Sequence, residues 1–344
     1  MTYKVGVVGS GFGGSVHVPA YKLHPKFEVV AIASPIRAAE IAKQRDIPHA
    51  FDSLEAMLAS VELDVVSIAS PPFAHHQQTI AALAFGKHVL CEKPFALSVA
   101  QAEEMVAAAR IANTATAVAH EFRYTPVRRA IKELIVNGHL GTLRQIEVTA
   151  FATWLGADVE RSRGWWFDRA RGGGIAGAIG SHLIDTASWL AGRKPVRVTG
   201  GIRTAIPTRR DSEGSFTSTV DDGAFALIDY GEGLIARITV DGTMLISSST
   251  VAVHGDQRAA VGNGQSLIES NLYLLEPDEQ SELDLVEPTY ARYESVHGNI
   301  PMFLELLDDF AAEIETKIST VPTFAESLET MRVLAAIGYG ATEA

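Results

Sequence analysis

The sequence of 344 residues contains one cysteine, Cys91, which excludes a disulfide within the chain and favours a reducing, cytoplasmic setting. Basic residues are also few: 29 Lys and Arg stand against 41 Asp and Glu, for a net charge of −12. This deficit disfavours nucleic acid and anionic membranes as partners, because both require a basic surface. No uninterrupted apolar run reaches about 18 residues, and a strand-like run begins too early for a signal peptide. We therefore expect a cytoplasmic protein with no nucleic-acid or membrane partner.

The most informative stretch is N-terminal, where the strand-like residues 4–8 enter a loop with glycines at 9, 11 and 14. This is the G-x-G-x-x-G spacing, and it follows a strand, as the motif requires. The first glycine permits a tight turn, the second lets backbone approach a pyrophosphate, and the third lets the next helix pack on the strand. The alternative is a glycine-rich turn without a ligand. We predict that a dinucleotide binds here, at Gly9, Gly11, Phe12, Gly13 and Gly14.

Strand-like and helix-like segments alternate over the first third of the chain. The predicted further strands are 28–33, 64–69, 88–91 and 115–119, and the predicted helices are 37–45, 77–85 and 98–112. This βαβ alternation predicts a parallel sheet with helices on both faces, in which ligands bind beyond the C-terminal ends of the strands. The candidate functional residues follow those ends: Gly9, Ser34, Ser70-Pro71 and Glu92-Lys93-Pro94.

The pattern changes after residue 122. We predict helices at 126–137, 301–317 and 322–339, and strands at 143–153, 196–202, 223–230, 234–240 and 250–254, while 255–289 cannot be placed. The segments 231–233 and 241–242 favour hairpins. The sequence therefore predicts a dinucleotide-binding domain at 1–122 and an α+β domain with a mainly antiparallel sheet at 123–344.

Lys93 lies just past a buried strand and before a proline that cannot extend it. A lysine in a cleft can donate a hydrogen bond to a substrate hydroxyl. An isolated Glu-Lys-Pro is more often a solvated pair at a strand end. Its combination with the glycine loop favours a functional site.

These two motifs, with the Ser70-Pro71-Pro72 turn and His75, resemble the Gfo/Idh/MocA oxidoreductases, which include inositol and glucose-fructose dehydrogenases. The resemblance covers essentially the whole chain. It implies an N-terminal Rossmann domain and a second domain with a large open sheet, often used for oligomerisation, hence a homodimer or homotetramer. It also implies that Lys93 touches the reacting hydroxyl and the nicotinamide ribose. Further cofactor contacts implied by the resemblance are Glu92, Ser70, Pro71 and His75.

A third signature is the glycine triplet at 172–174, followed by Gly180 to Asp185. In the family, such a triplet opens a helix with an aspartate and, four residues later, a histidine that acts as acid and base; residues four apart share a helix face. Here His182 is present, but Ala178 stands at the aspartate position, which leaves His182 a less basic acceptor if unaided. Asp185 could contact His182, although we favour a structural role for it. The alternative for His182 is a packed helix histidine.

The segment 164–169 resembles the family's Trp-Arg segment near the nicotinamide, with Trp166 at the arginine position. An aromatic face suits a sugar ring, so we predict that Trp165 and Trp166 bind substrate; packing of the domain interface explains them equally well. Arg123 is a further predicted substrate contact. Arg163 and Arg169 are candidates for recognising a carboxylate or phosphate, although arginines near a cleft are often structural.

The end of the second strand carries no carboxylate, although an acidic residue about 20 residues past the glycine loop normally holds the ribose hydroxyls of NAD. Ser34 can donate to a 2′-phosphate, and Arg37 can pair with it. The alternative is that Ser34 only caps the next helix. We therefore favour NADP over NAD.

Together these observations predict an NAD(P)-dependent dehydrogenase or reductase that acts on a CH–OH group of a sugar, polyol or related compound. Lys93 and His182 are the predicted catalytic residues, and no metal is assigned. Ala178 keeps a second hypothesis open, a catalytically impaired cofactor-binding sensor or regulatory protein of the same fold. A third is internal hydride chemistry with a tightly held cofactor.

Overall fold

The computed structural model describes residues 2–340, which form two compact units. The first consists of the described residues up to 121 together with 288–328, and the second of 122–287 together with the described residues from 329. The main difference from the sequence-based division is that the latter places 288–328 in the second domain; the boundary near residue 122 differs by one residue. Aromatic packing explains the difference: Phe303 packs on His17 at 4.5 Å between ring centroids, and Phe310 stacks on Phe27 at 6.5 Å.

The first unit is a parallel α/β structure, as the alternation predicts. Its strands are β1 Tyr3–Val8, β2 Phe27–Ala33, β3 His49–Phe51, β4 Val65–Ile68, β5 His88–Cys91 and β6 Thr116–Val118. Its helices are α1 Val18–Leu23, α2 Ala38–Arg45, α3 Leu54–Ser60, α4 Pro72–Ala84 and α5 Val99–Ala112, and later α8 Ile300–Thr316. Within the described residues these strands form one six-stranded parallel sheet in the order β3-β2-β1-β4-β5-β6.

The central strands are mostly apolar because helices cover a parallel sheet on both faces. In β5, for example, Val89, Leu90 and Cys91 have no exposed surface. Helix α5 begins where the sequence predicts, with the Ser98 hydroxyl accepting a hydrogen bond from the Gln101 amide at 3.2 Å. The sequence does not predict β3 or α3, which are short and weakly patterned.

The second unit is built on a large sheet, and it also has a separate antiparallel pair of strands. The strands of this unit are β7 Leu143–Phe151, β8 Arg197–Arg203, β9 Thr208–Asp211, β10 Gly214–Thr217, β11 Gly223–Asp229, β12 Ile235–Asp241, β13 Ser248–Gly255, β14 Ala259–Gly264, β15 Asn271–Glu276 and β16 Glu279–Glu282, of which β9 and β10 form the separate pair. Its helices are α6 Pro126–Val136 and α7 Ser181–Ala191; α9, Phe324–Ala336, begins in the first unit and ends in the second. Over the part of the chain described, eight strands pair in the order β16-β15-β14-β13-β7-β12-β11-β8.

All neighbours in this sheet are antiparallel except β7 and β12, which run parallel. The segment 231–233 connects the antiparallel strands β11 and β12, as predicted. The hairpin expected at 241–242 is wrong, because β7 lies between β12 and β13 in the sheet. The stretch 255–289, which the sequence leaves unplaced, holds β14, β15 and β16.

No helix formed by residues 2–340 combines the length and apolar character needed to cross a membrane.

Candidate functional site

The loop after β1 contains two glycines with different requirements. Gly9 has a φ of 110°, and a Cβ there would collide with the Ala69 carbonyl, so glycine is required. A Cβ on Gly11 would meet no atom within 4 Å, so no internal packing requires a glycine at that position. Without a side chain, the backbone at Gly11 is accessible, and a pyrophosphate can bind close to it.

Gly13 and Gly14 begin the helix that follows this loop. A Cβ on Gly13 would lie 3.2 Å from a Val7 methyl in β1, whereas one on Gly14 would lie 3.2 Å from Ile41 in α2. The sequence predicts that Gly14 allows the close contact between helix and strand. In the structure Gly13 makes this contact, because Gly14 is turned about 100° further around the helix axis and faces α2. The π-helical turn Gly13–His17 continues into α1, so the loop ends at helical amides that suit phosphate groups. These residues fit a dinucleotide.

Ser34 follows β2 and is bonded to the glycine loop, since its hydroxyl donates to the Ser10 hydroxyl at 3.0 Å. Arg37 occupies the N-cap position of α2, so Ser34 does not cap that helix. The Arg37 guanidinium forms a bidentate ion pair with Glu40, with distances of 2.9 Å and 3.0 Å. Both side chains of this pair are about half exposed.

His75 on α4 is buried between two backbone carbonyls. Its Nδ1 lies 3.0 Å from the Pro94 oxygen and its Nε2 lies 2.8 Å from the Ser70 oxygen. Burial lowers the pKa of His75, which favours a neutral ring. The Ser70 hydroxyl donates to Gln78 at 2.6 Å, and Pro71 precedes the first turn of α4. A neutral imidazole has one N–H, so His75 donates to one of the two carbonyls and contacts the other, where the loops after β4 and β5 meet.

Lys93 lies beside the glycine loop. Its Nζ is 5.9 Å from the centroid of the Phe12 ring and 3.9 Å from Glu92 Oε2. Burial would raise the pKa of Glu92, but the hydrogen bond from His17 and the charge of Lys93 lower it below its ordinary value. An ammonium held by an ionised carboxylate is thus adjacent to the proposed phosphate cradle.

Two buried titratable residues extend this cluster, and the sequence does not single them out. His17 Nε2 is 3.0 Å from Glu92 Oε1. Glu121 accepts a hydrogen bond from Asn299 at 3.0 Å, and burial, reinforced by the Glu92 charge, raises the pKa of Glu121 to about 7. Both lie far from Lys93 in sequence, so only the fold brings them together.

The helix that carries His182 begins after the glycine triplet, as predicted. Gly174 has a φ of 107°, and a Cβ there would collide with Asp221. Asp221 Oδ2 accepts a hydrogen bond from the Ala176 amide at 2.6 Å and so caps the π-helical turn that leads into α7. Burial raises the pKa of Asp221 to about 6. Nothing in the sequence signals this cap, which comes from a distant loop.

His182 is buried and stacked on Phe122, with ring centroids 4.0 Å apart and an angle of 11° between the planes. Ala178 lies in the preceding π-helical turn, at the position where the family resemblance expects an aspartate. The Phe122 ring therefore orients the His182 imidazole. Ala178 is uncharged, so it cannot raise the basicity of His182 as an aspartate at that position would.

The three candidate arginines all bind partners within the second unit. Arg123 forms a bidentate pair with Asp185 at 2.7 Å and 2.6 Å, and both side chains are buried. Arg163 pairs with Asp211 at 2.7 Å and 2.9 Å, and Arg169 donates to backbone carbonyls of residues 338 and 340. This geometry agrees with a structural role for Asp185 and favours one for the arginines.

Trp165 and Trp166 lie in the turn Trp165–Phe167, and both are partly exposed. The Trp166 ring packs edge-on against Trp154 at 6.0 Å, and the Arg161 guanidinium lies 4.8 Å from its centroid. The Trp166 carbonyl accepts a hydrogen bond from the Gly174 amide at 3.1 Å. Trp166 thus contributes to packing next to the start of the histidine helix.

Each of the two units carries its own set of candidate groups. The first offers bare backbone for a pyrophosphate and a charged hydrogen-bond donor, Lys93. The second offers a buried imidazole, His182, which can accept or release a proton. Among residues 2–340, no three His, Cys, Asp or Glu side chains are grouped so that they could hold a metal ion.

Comparisons with known proteins agree with this architecture. Residues 3–120 match the model of an oxidoreductase family with an NAD-binding Rossmann fold, Gfo/Idh/MocA. Residues 128–261 match the model of the C-terminal domain of the same family.

Individual relatives are similar over much of the chain. An uncharacterised oxidoreductase of Synechocystis is 38% identical over 55% of this chain; the match spans about half, 51%, of that relative. A 1,5-anhydro-D-fructose reductase of Ensifer adhaerens is 30% identical over 68% of each protein. The solved structure of a levoglucosan dehydrogenase with NADH and L-sorbose superposes with a TM-score of 0.85 at 25% identity, covering 98% of this chain and 96% of the other.

Proposed function

The chain belongs to the Gfo/Idh/MocA family of oxidoreductases, and from that membership we propose that it is an NAD(P)-dependent dehydrogenase or reductase of a carbohydrate-like substrate. The reaction is hydride transfer between the nicotinamide and a secondary alcohol or ketone of a sugar, polyol or related compound. Relatives named as a levoglucosan dehydrogenase and an anhydrofructose reductase support this substrate class.

The observation that carries the proposal is the position of Lys93. Its ammonium lies over Phe12, a residue of the glycine loop, and next to the ionised Glu92. A charged donor beside a dinucleotide cradle is suited to hold a substrate oxygen close to the reacting end of the cofactor. A loop that only bound a nucleotide would not need this donor.

Each proposed catalytic residue has one task. When bound, the nicotinamide would accept a hydride from an alcohol carbon or supply one to a ketone carbon. Lys93 donates a hydrogen bond to the reacting oxygen and stabilises negative charge on it. His182 takes the hydroxyl proton in the oxidative direction and returns it in the reductive direction.

For the cofactor, we propose a preference for NADP. The absence of a carboxylate at the end of β2 and the Ser34 hydroxyl there support it, because an aspartate would repel a 2′-phosphate. The Arg37–Glu40 pair must open for Arg37 to reach a phosphate, and an exposed pair opens readily.

We further propose a homodimer or homotetramer formed through the large sheet, in a cytoplasmic setting. In β11, Phe225 and Leu227 alternate with buried residues and are 56% and 46% exposed. Neighbouring apolar side chains on one sheet face favour burial against a second copy. The single buried cysteine, Cys91, fits a reducing compartment.

The direct experiment is a panel of sugars, polyols and hydroxy acids, assayed with NAD and NADP by the absorbance of the reduced nicotinamide. The proposal predicts turnover with at least one sugar or polyol. Ala178 favours the second candidate, a cofactor-binding sensor, because His182 receives no charge from that position. Cofactor binding with no turnover across the panel would support the sensor and contradict the enzyme.

A further inference from the structure

His17 contacts Glu92, the residue that precedes the proposed catalytic lysine, although no sequence motif points to it. It occupies the last position of the turn Gly13–His17, and its side chain has no exposed surface. Nδ1 is 2.8 Å from the Ser67 hydroxyl, and Nε2 is 3.0 Å from Glu92 Oε1. The imidazole therefore bridges β4 and the residue that precedes Lys93.

The partners fix how the imidazole binds. An ionised carboxylate only accepts hydrogen bonds, so Nε2 carries the hydrogen that goes to Glu92. In the neutral ring, Nδ1 then accepts from the Ser67 hydroxyl. Phe303 at 4.5 Å and Phe12 at 5.7 Å pack against the ring and hold its plane.

The two carboxylate oxygens of Glu92 contact different residues, His17 and Lys93. Oε1 faces His17, while Oε2 accepts from the Lys93 backbone amide at 3.1 Å and lies 3.9 Å from Nζ. Three further titratable groups interact electrostatically with Glu92: Glu121, His75 and Cys91. The hydrogen bond from His17 and the charge of Lys93 together offset the burial of Glu92.

We propose that His17 is a positioning residue for the hydride-transfer site: its hydrogen bond to Glu92 Oε1 fixes the carboxylate so that Oε2 stays beside the Lys93 ammonium. This inference rests on the proposed function only in giving Lys93 a catalytic task. The hydrogen-bonded chain from Ser67 to Lys93 is a property of the free protein.

The test measures Lys93 itself, without substrate. Amine acetylation consumes neutral lysine, so its rate at Lys93, followed by peptide mass spectrometry over a pH series, reports how strongly Glu92 holds the Lys93 amine. His17→Leu removes the donor to Glu92, and we expect Lys93 to react roughly tenfold faster. His17→Gln retains an N–H at the position of Nε2 and should react within about twofold of wild type.

A double variant shows whether His17 acts through Glu92. In a Glu92→Gln background, His17→Leu should cause no further change in the acetylation rate. Additive effects would overturn the proposal, as would wild-type rates in His17→Leu.

His24→Gln is the matched control, because His24 is a buried histidine of the same unit that binds Asp308 at 3.0 Å. It should leave Lys93 unchanged; an equal acceleration would show general loosening and contradict the proposal. If His17→Leu does not fold, Ser67→Ala removes the partner of Nδ1 and should also accelerate acetylation of Lys93. No acceleration in Ser67→Ala would contradict the proposal. These outcomes do not depend on turnover, so they are distinct from failure of the proposed function.

Discussion

The ammonium of Lys93 lies 5.9 Å from the centroid of the Phe12 ring. Phe12 belongs to the loop that carries the dinucleotide fingerprint, whereas Lys93 follows a strand two positions away in the sheet. The contact places the proposed hydrogen-bond donor next to the proposed phosphate cradle.

Phe12→Leu should reduce kcat/KM by roughly two- to tenfold, because an aliphatic side chain loses the cation–π attraction that helps to hold Lys93. Steady-state kinetics with the best substrate of the panel measures kcat/KM of the variant and of wild type. Phe12→Tyr keeps the ring and should stay close to wild type. Equal kinetics for wild type and Phe12→Leu would show that the ring contact does not matter.

Glu40→Gln should shift cofactor preference towards NADP. The change releases Arg37 from its ion pair and removes a negative charge that would repel a 2′-phosphate. Fluorescence titration of wild type and variant with both cofactors measures the ratio of dissociation constants. Tighter binding of NAD by the wild type would overturn the NADP preference.

Asp221→Asn should change how stability depends on pH. Burial raises the pKa of Asp221 to about 6 from an ordinary value of 3.8, so the folded state favours the neutral carboxyl. That contribution is full below about pH 4 and is lost as the pH rises through about 6. The free energy of unfolding of the variant, relative to wild type, should therefore rise by roughly 2 kcal/mol between about pH 4 and pH 8. Denaturant unfolding at both pH values measures it, and a pH-independent difference would contradict it.

Phe225→Ser combined with Leu227→Ser should reduce the oligomer to a monomer, because the two side chains form part of the exposed apolar face of the large sheet. Size-exclusion chromatography with light scattering measures the mass. Ile111→Ser, which changes an exposed apolar residue on α5, is the control and should keep the oligomer. A monomeric wild type would contradict the proposed assembly.

Local signals in the sequence predict much of the first unit. The strand His88–Cys91 has the predicted bounds, because it is a short apolar run between a glycine turn and a proline. The Ser98 cap is likewise local, with its partner three residues away.

Contacts between distant segments leave no local signal in the sequence. The hairpin expected after β12 fails because β7, from much earlier in the chain, pairs beside it. Ser67, His17 and Glu92 form one buried chain although 75 residues separate His17 from Glu92. The Arg123–Asp185 pair, 62 residues apart, shows why a candidate ligand contact can be structural. Residue types suggest chemistry, but only the fold shows which partner satisfies each group.

The most direct test of the account is the rate of nicotinamide reduction by Lys93→Met beside wild type and Lys87→Met, each first shown to be folded and to bind cofactor. Methionine keeps the bulk of the lysine chain and removes its charge, and Lys87, at the opposite end of the same strand, controls for the loss of a cation. We predict turnover of a sugar or polyol by wild type and Lys87→Met, and at least about a hundredfold loss of kcat in Lys93→Met. Turnover by Lys93→Met at the wild-type rate would contradict the account.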